Sequence, residues 1–265
     1  MPHVNGGWPM AMRDGTTGRG PRTAAMAGGR RGGFTLVELL VVIMIIAMLA
    51  GLVTPAVMRA QASARNAAIK AEIDMLHMAI MNYKNEYGSF PPCADSTAYA
   101  ASGPAVKHLS RLFPRCTSPT AQFASAAALT PQTALVAWLG GYTDDPMLPL
   151  TNGTRKKLFD FDQPRVTSLA YAPSGKSGSP YIYIDSTNYL VSGTIPTFAS
   201  TGGTYYAHRV PASASGNFTT LSQPAFNADT FQILCAGRDE TFDTDDDLSN
   251  FWPGTRRDYL DSLKQ

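Results

Sequence analysis

Gly32-Gly33-Phe34-Thr35-Leu36-Val37-Glu38-Leu39-Leu40-Val41-Val42-Ile43-Met44-Ile45-Ile46-Ala47-Met48-Leu49-Ala50-Gly51-Leu52-Val53-Thr54-Pro55-Ala56-Val57-Met58 is the stretch that decides the fold. From Leu39 to Met58 it runs 20 residues without a charge. At about 1.5 Å of rise per residue a helix of that length spans about 30 Å, the hydrocarbon thickness of a bilayer. A core helix of a soluble protein seldom runs so far without a polar face. A secretory signal peptide is the stronger rival, with Ala60-Gln61-Ala62 as its small-residue cut site, but its apolar region is usually shorter. The reading is a membrane helix over residues 34–58. Pro55 lies within it, removes one backbone hydrogen bond and predicts a kink or a local melt.

Upstream, residues 1–33 carry five arginines against one aspartate, a net +4, which leaves −2 for the rest of a chain whose total is +2. They are rich in Gly, Arg, Ala and Thr and have no apolar period, so they read as a leader that is removed. Met26 competes with Met1 as the true start, since Met26 to Gly33 alone makes a short basic leader. A basic head before an apolar run is a targeting pattern, and a net +2 gives no ground for a nucleic-acid partner.

Downstream the pattern changes without a break. Ile69, Ile73, Leu76, Ile80, Tyr83 and Tyr87 are spaced 4, 3, 4, 3 and 4, one face of an amphipathic helix. Lys70 and Asp74 can pair on its flank, and Gly88 with Pro91-Pro92 ends it. One helix is therefore expected from about Phe34 to Tyr87, with residues 59–92 belonging to a globular part. Leu109–Phe113 and Thr133–Leu139 read as short helical or irregular pieces. Ser168–Ala172, Tyr181–Asp185, Thr204–Val210 and Phe231–Cys235 read as short strands between Gly, Pro and Ser turns. A small antiparallel sheet in residues 93–265 would cover the apolar stripe, an α+β architecture.

The three cysteines, Cys93, Cys116 and Cys235, include no CxxC pair. A Cys93–Cys116 disulfide and three unpaired buried thiols both remain open. His77 reads as structural, and His108 and His208 have no Cys or acidic neighbour in sequence. GxSxG, HExxH and Walker patterns are absent, so the chain does not read as an enzyme.

Arg30-Arg31 followed by Gly32-Gly33-Phe34-Thr35-Leu36-Val37-Glu38-Leu39-Leu40 resembles the processing site of type IV prepilins and type II secretion pseudopilins. The likeness extends over roughly residues 26–92 and includes a helix-kinking proline at the place of Pro55. It implies that a prepilin peptidase cuts between Gly33 and Phe34 and methylates the new amine of Phe34. Independently, a carboxylate in the apolar segment costs on the order of 2.5–3.5 kcal/mol near the helix centre and less toward the interface. Glu38 therefore needs a partner. It either snorkels or takes a proton, or it pairs with the amine of Phe34 on a neighbouring subunit and sets the axial register of a filament.

The stretch 237–251 holds five aspartates and one glutamate within nine residues, 239–247. It looks like the calcium loop of the major (G-type) pseudopilin, although Arg238 and a short spacing depart from that pattern. Calcium takes 6–8 oxygen ligands, and the resemblance assigns Asp239, Asp243, Asp245 and Asp247 to it; the alternative is a solvated acidic loop.

The resemblance implies a structural subunit of a type II secretion pseudopilus. Its partners would be copies of itself in a helical polymer, the prepilin peptidase, an inner-membrane assembly platform and membrane lipid. The chain would cross the inner membrane once, with its globular part in the periplasm or outside. A type IV pilin or minor pilin, serving adhesion, motility or DNA uptake, is the alternative. A reading from another class, a membrane-anchored metal-dependent secreted enzyme, lacks a histidine ligand or nucleophile beside the acidic loop.

Overall fold

A computed structural model describes residues 33–93, 102–123, 129–151, 153–175, 178–190, 193–213 and 217–265. The basic leader, with Met26 and Arg30-Arg31, lies outside the described residues. The chain divides into two compact units, residues 1–52 and 53–265. In the first unit the described residues are the start of one helix. Its apolar side chains face outward, with Phe34 79%, Leu39 58% and Leu52 67% exposed.

That helix, α1 (Leu36–Tyr87), is 52 residues long and passes through Pro55 without interruption. Pro55 has no N–H to give the Gly51 carbonyl, yet helical backbone continues on both sides, so no local melt occurs there. Its stretch of high hydropathy is long enough to cross a membrane. α1 ends where Gly88 takes a φ of +79°, a left-handed turn open to glycine, and returns its N–H to the Lys84 carbonyl at 2.7 Å.

The second unit is built on the other half of α1. Ile69, Ile73, Leu76, Ile80 and Tyr83 are buried as the spacing predicts, and Tyr87 is half-buried. Lys70 and Asp74 form the expected pair at 3.6 Å. The stripe joins one core with α2 (Pro104–Leu112), α3 (Ala134–Leu139) and a set of short antiparallel ladders. β1 (Tyr142–Thr143) pairs with β2 (Arg155–Lys156), and β3 (Val166–Thr167) with β4 (Ala170–Tyr171). β5 (Ile182–Asp185), β8 (Phe231–Cys235) and β9 (Leu248–Ser249) form a three-stranded sheet in the order β5-β8-β9. β6 (Thr197–Ser200) and β7 (Gly203–Tyr206) make a hairpin. The sequence ends in α4 (Arg256–Ser262).

This is the expected α+β arrangement. Tyr181–Asp185 and Phe231–Cys235 are strands as read, and they pair with each other, Ile182 opposite Leu234 and Asp185 opposite Phe231. Both are buried along their whole length, which is why they appear as unbroken apolar runs. Two other strands are shorter than read. Ser168 and Leu169 have φ of 49° and 64° and turn the chain between β3 and β4. Beyond Tyr206, pairing is reduced to a single bridge between Arg209 and Ala225. Of the two readings left open for the cysteines, the structure shows free thiols at Cys93, Cys116 and Cys235, with Cys93 and Cys235 buried and Cys116 half-buried. Cys93 is buried, with its N–H on the Asp185 carboxylate at 3.0 Å and its sulfur facing the Asp185 N–H at 3.4 Å.

Candidate functional site

Gly33 and Phe34 stand on open backbone before the first turn of α1. Nothing lies within 4 Å of where a Cβ on Gly33 would stand, so the peptide bond expected to be cut is accessible. In the uncut chain the Phe34 nitrogen is an amide and offers Glu38 no charge. Glu38 turns to Thr35 instead. Its Oε2 accepts the Thr35 N–H at 3.0 Å and the Thr35 hydroxyl at 2.8 Å, while Thr35 Oγ1 accepts the Glu38 N–H at 3.2 Å. This reciprocal pattern is a capping box, in which two helix-end donors find acceptors within one turn. Glu38 is thus held at the start of the helix by Thr35.

A second constellation was not expected. Glu72 lies on the buried face of α1, between Ile69 and Ile73. Its carboxylate accepts from Arg165 Nη2 at 2.6 Å, from the Tyr171 hydroxyl at 2.7 Å and from the Tyr181 hydroxyl at 2.5 Å. Arg165 also gives Nε and Nη2 to the Ala172 carbonyl, at 2.9 and 2.7 Å, and stacks on the Tyr171 ring. Burial acts to raise the Glu72 pKa, but the three hydrogen bonds and the Arg165 charge prevail and leave it lowered. The joint fastens the helix to the β3–β4 hairpin and β5. The signal was present in the sequence: a carboxylate three residues after Ile69 and four before Leu76 sits inside the apolar stripe and must be paired.

The acidic residues lie between β8 and α4. Gly237 opens the loop at φ +58°, where a Cβ would collide with the Asp246 carbonyl. Asp246 then accepts the N–H of Arg238 at 2.6 Å and of Asp239 at 3.1 Å. Asp239 accepts the Thr241 N–H at 2.8 Å. Asp247 accepts the N–H of Asp243 at 2.7 Å and of Thr244 at 3.3 Å. Outside the loop, α4 docks by backbone and charge together. Arg256 N–H reaches the Asp247 carbonyl at 2.8 Å and its guanidinium meets Asp243 at 3.0 Å. Arg257 does the same to the Asp245 carbonyl at 2.9 Å and the Asp245 carboxylate at 3.5 Å. Burial pushes the Asp247 carboxyl up to about 8, against those two backbone N–H groups and the Arg256 charge.

The four aspartates assigned to calcium are therefore employed separately. Asp239 and Asp247 hold backbone, and Asp243 and Asp245 hold arginines. Among the described residues no three His, Cys, Asp or Glu side chains converge on a point that could hold a metal ion. As arranged, this donor set does not fit a calcium cage, and calcium enters no step below.

The three histidines among the described residues pack within the fold. His108 is buried beside Trp138, with Nε2 at 2.8 Å from the Tyr83 hydroxyl. Burial, then the Arg111 charge, lowers its pKa to about 4. His208 lies within an aromatic cage of Tyr206, Phe218, Phe251 and Trp252, and burial lowers it to about 3. His77 packs on Phe231, its Nδ1 at 3.1 Å from Asn250 Nδ2.

Compared with known proteins, residues 29–54 match the family model of the prokaryotic N-terminal methylation motif. Neither the curated proteins nor the solved structures give a match. The motif supports a type IV pilin-like or pseudopilin subunit with a structural role, and implies processing by prepilin peptidase and pilus assembly. With the one helix among the described residues that is long and apolar enough to cross a membrane, it suggests a membrane-anchored, single-pass protein.

Proposed function

We propose that this chain is a structural subunit of a type II secretion pseudopilus, cut between Gly33 and Phe34 and assembled by its helix into a filament for protein export. The observation that carries the reading is the coincidence of the methylation motif at 29–54 with an apolar helix whose side chains face outward. An apolar surface of that size needs lipid before assembly and the helices of other copies after it. Cleavage creates the amine on Phe34. Glu38 then exchanges the Thr35 donors for the charged amine of a neighbour, a stronger hydrogen bond in a medium of low dielectric constant. The globular unit is carried on the far half of the same helix and forms the filament surface.

The acidic C-terminal loop favours the secretion pseudopilus over a type IV pilus by its likeness in sequence to the loop of the major pseudopilin, a likeness of composition that does not extend to a calcium cage as the side chains are arranged. The deciding experiment is Glu38→Leu in the native host. Loss of filament and of secretion, with the cut between Gly33 and Phe34 still made, supports the reading; normal assembly and secretion overturn it. Secretion ATPase genes beside this one, as against a pilus retraction motor, separate the two kinds of filament.

A further inference from the structure

At the C-terminal end of α1 a cleft of about 630 Å³ opens between Lys84–Phe90, α2 and the residues after β5. Its cations are Lys84, Lys107 and Arg111. Lys107 and Arg111 are exposed, Lys84 lies 4.3 Å over the Phe90 ring, and Arg111 meets only neutral partners, Ser89 and the His108 ring. Among the described residues none of the three is within ion-pair distance of a carboxylate. Two aspartates line the same cleft. Asp185 is buried and turned away, accepting from Cys93 N–H at 3.0 Å, from Asn188 at 2.7 Å and from the Thr187 hydroxyl. Asp229 stands exposed on the rim. Among the described residues the mouth is therefore cationic, with no ion pair to its three cations.

The unit also carries the complementary charge. Between Arg238 and Asp247 lie six acidic side chains and one arginine. Arg256 and Arg257 of α4 meet Asp243 and Asp245 at 3.0 and 3.5 Å. With Asp247 protonated up to about 8, the loop keeps a net negative charge, with Asp239, Asp243 and Asp245 exposed. The loop starts at the other end of the helix: Arg238 shares a hollow with Met58, Gln61, Ala62 and Arg65. Between Arg65 and Lys84 lie 19 residues of rise along α1, or about 30 Å. The unit is thus basic at the C-terminal end of the helix and carries its acidic loop toward the other end, beyond the hollow where Arg65 and Arg238 stand.

We propose that the basic cleft receives the acidic loop of a second copy of this chain, Lys107 and Arg111 meeting Asp239 and Asp245 head to tail. A contact between two unlike patches is heterologous, and where the rotation does not close a ring it generates an open helical filament. The inference rests on the filament reading and extends it from the membrane helix to the globular unit. Glu38 sets register between helices, and the cleft sets it between the units they carry. Because both patches are exposed, the contact weakens with salt.

The test uses the full chain in the native host, in a Cys116→Ser background. Lys107→Cys with Asp239→Cys should give a chain-to-chain adduct with a short bismaleimide in assembled filaments, and none when Glu38→Leu blocks assembly. Separately, Lys107→Glu with Arg111→Glu should cut filament yield about tenfold, a contact worth roughly one decade in an equilibrium constant. Adding Asp239→Lys with Asp245→Lys should restore it. Thermal unfolding of each variant checks that its fold is kept. Filaments that assemble normally, with no 107–239 adduct and no response to charge reversal, overturn the docking and leave the filament reading standing. Reversal that lowers yield without recovery in the fourfold variant overturns it as well. An unaltered chain that forms no filament overturns both.

Discussion

Arg165 Nη2 lies 2.6 Å from Glu72 Oε2, with the arginine side chain 19% and the glutamate side chain 12% exposed. The pair joins a helix to a hairpin 93 residues later in sequence, and two tyrosine hydroxyls complete it. Removing one partner of a buried ion pair leaves the other charge without compensation, a change that costs about 3 kcal/mol or more. Glu72→Ala should therefore lower the unfolding midpoint markedly, while Asp74→Ala, two residues on and in the solvent-facing pair with Lys70, changes stability by less than about 1 kcal/mol. Comparing the two by thermal unfolding checks the assignment; equal effects would remove it.

The same joint has a pH signature. The Glu72 pKa is lowered in the fold, so its contribution is complete above the unfolded value of 4.5 and is lost as pH falls through the lower folded value. His108 and His208 act in the same direction over a higher window. In the unfolded chain each takes a proton near 6.5, but in the fold only near 4 and near 3. The unfolded state then binds more protons below about 6.5, and stability declines from there downward. Midpoints measured between about pH 6.5 and pH 4 should fall, less steeply than the two histidines alone would give, because Asp247 keeps its proton in the fold and opposes them over the same window. A His208→Phe variant that keeps the fold should show a shallower decline, since its aromatic cage accepts a neutral ring.

Asp247 works the other way. Its folded carboxyl holds a proton up to about 8 against an unfolded value of 3.8. Its stability contribution is full below 3.8 and is lost as pH rises through 8. Asp247→Asn keeps an oxygen to accept the Asp243 N–H and removes the charge. It should be neutral at pH 5 and stabilising at pH 8.5, read as the difference in midpoint from the unaltered chain. A larger loss at pH 8.5 would show that the charged form is what α4 requires.

What could be read from the sequence divides along physical lines. The stripe from Ile69 to Tyr83 was legible because helix period and burial make one pattern, and Gly88 ended it through a φ that favours glycine. Tyr181–Asp185 and Phe231–Cys235 were legible as strands because both faces are covered. β6 and β7 were not fully legible: Thr197–Ser200 and Gly203–Tyr206 alternate only weakly and form a hairpin at the surface. The motif around Gly33 and Glu38 was plain from local order alone. The acidic loop was legible in composition but not in arrangement. Two of its charges, on Asp243 and Asp245, are met by Arg256 and Arg257, and nothing local to 239–247 says that α4 turns back onto it. Glu72 was missed although its place within the stripe required a partner, because Arg165, Tyr171 and Tyr181 lie about a hundred residues away.

The arginine clamp leads to the last prediction. Arg256 holds Asp243 at 3.0 Å with its side chain 12% exposed, and Arg257 holds Asp245 at 3.5 Å with its side chain 69% exposed. The first pair is shielded and the second is screened by water, so they should differ in worth. Arg256→Leu should loosen the loop and lower the midpoint by an amount equivalent to about 2 kcal/mol, and Arg257→Leu by less than about 1 kcal/mol. With Asp243 and Asp245 held by arginines of α4 and Asp239 and Asp247 by backbone N–H groups, the loop as arranged presents no calcium cage. Adding calcium or a chelator to the full-length protein in detergent should leave the midpoint unchanged, whereas a ligand that binds only the folded state raises it with concentration. A calcium-dependent rise would mean that Asp239, Asp243, Asp245 and Asp247 leave their present partners and converge. In that case the Arg256→Leu variant, freed of the competing guanidinium, would show the larger rise.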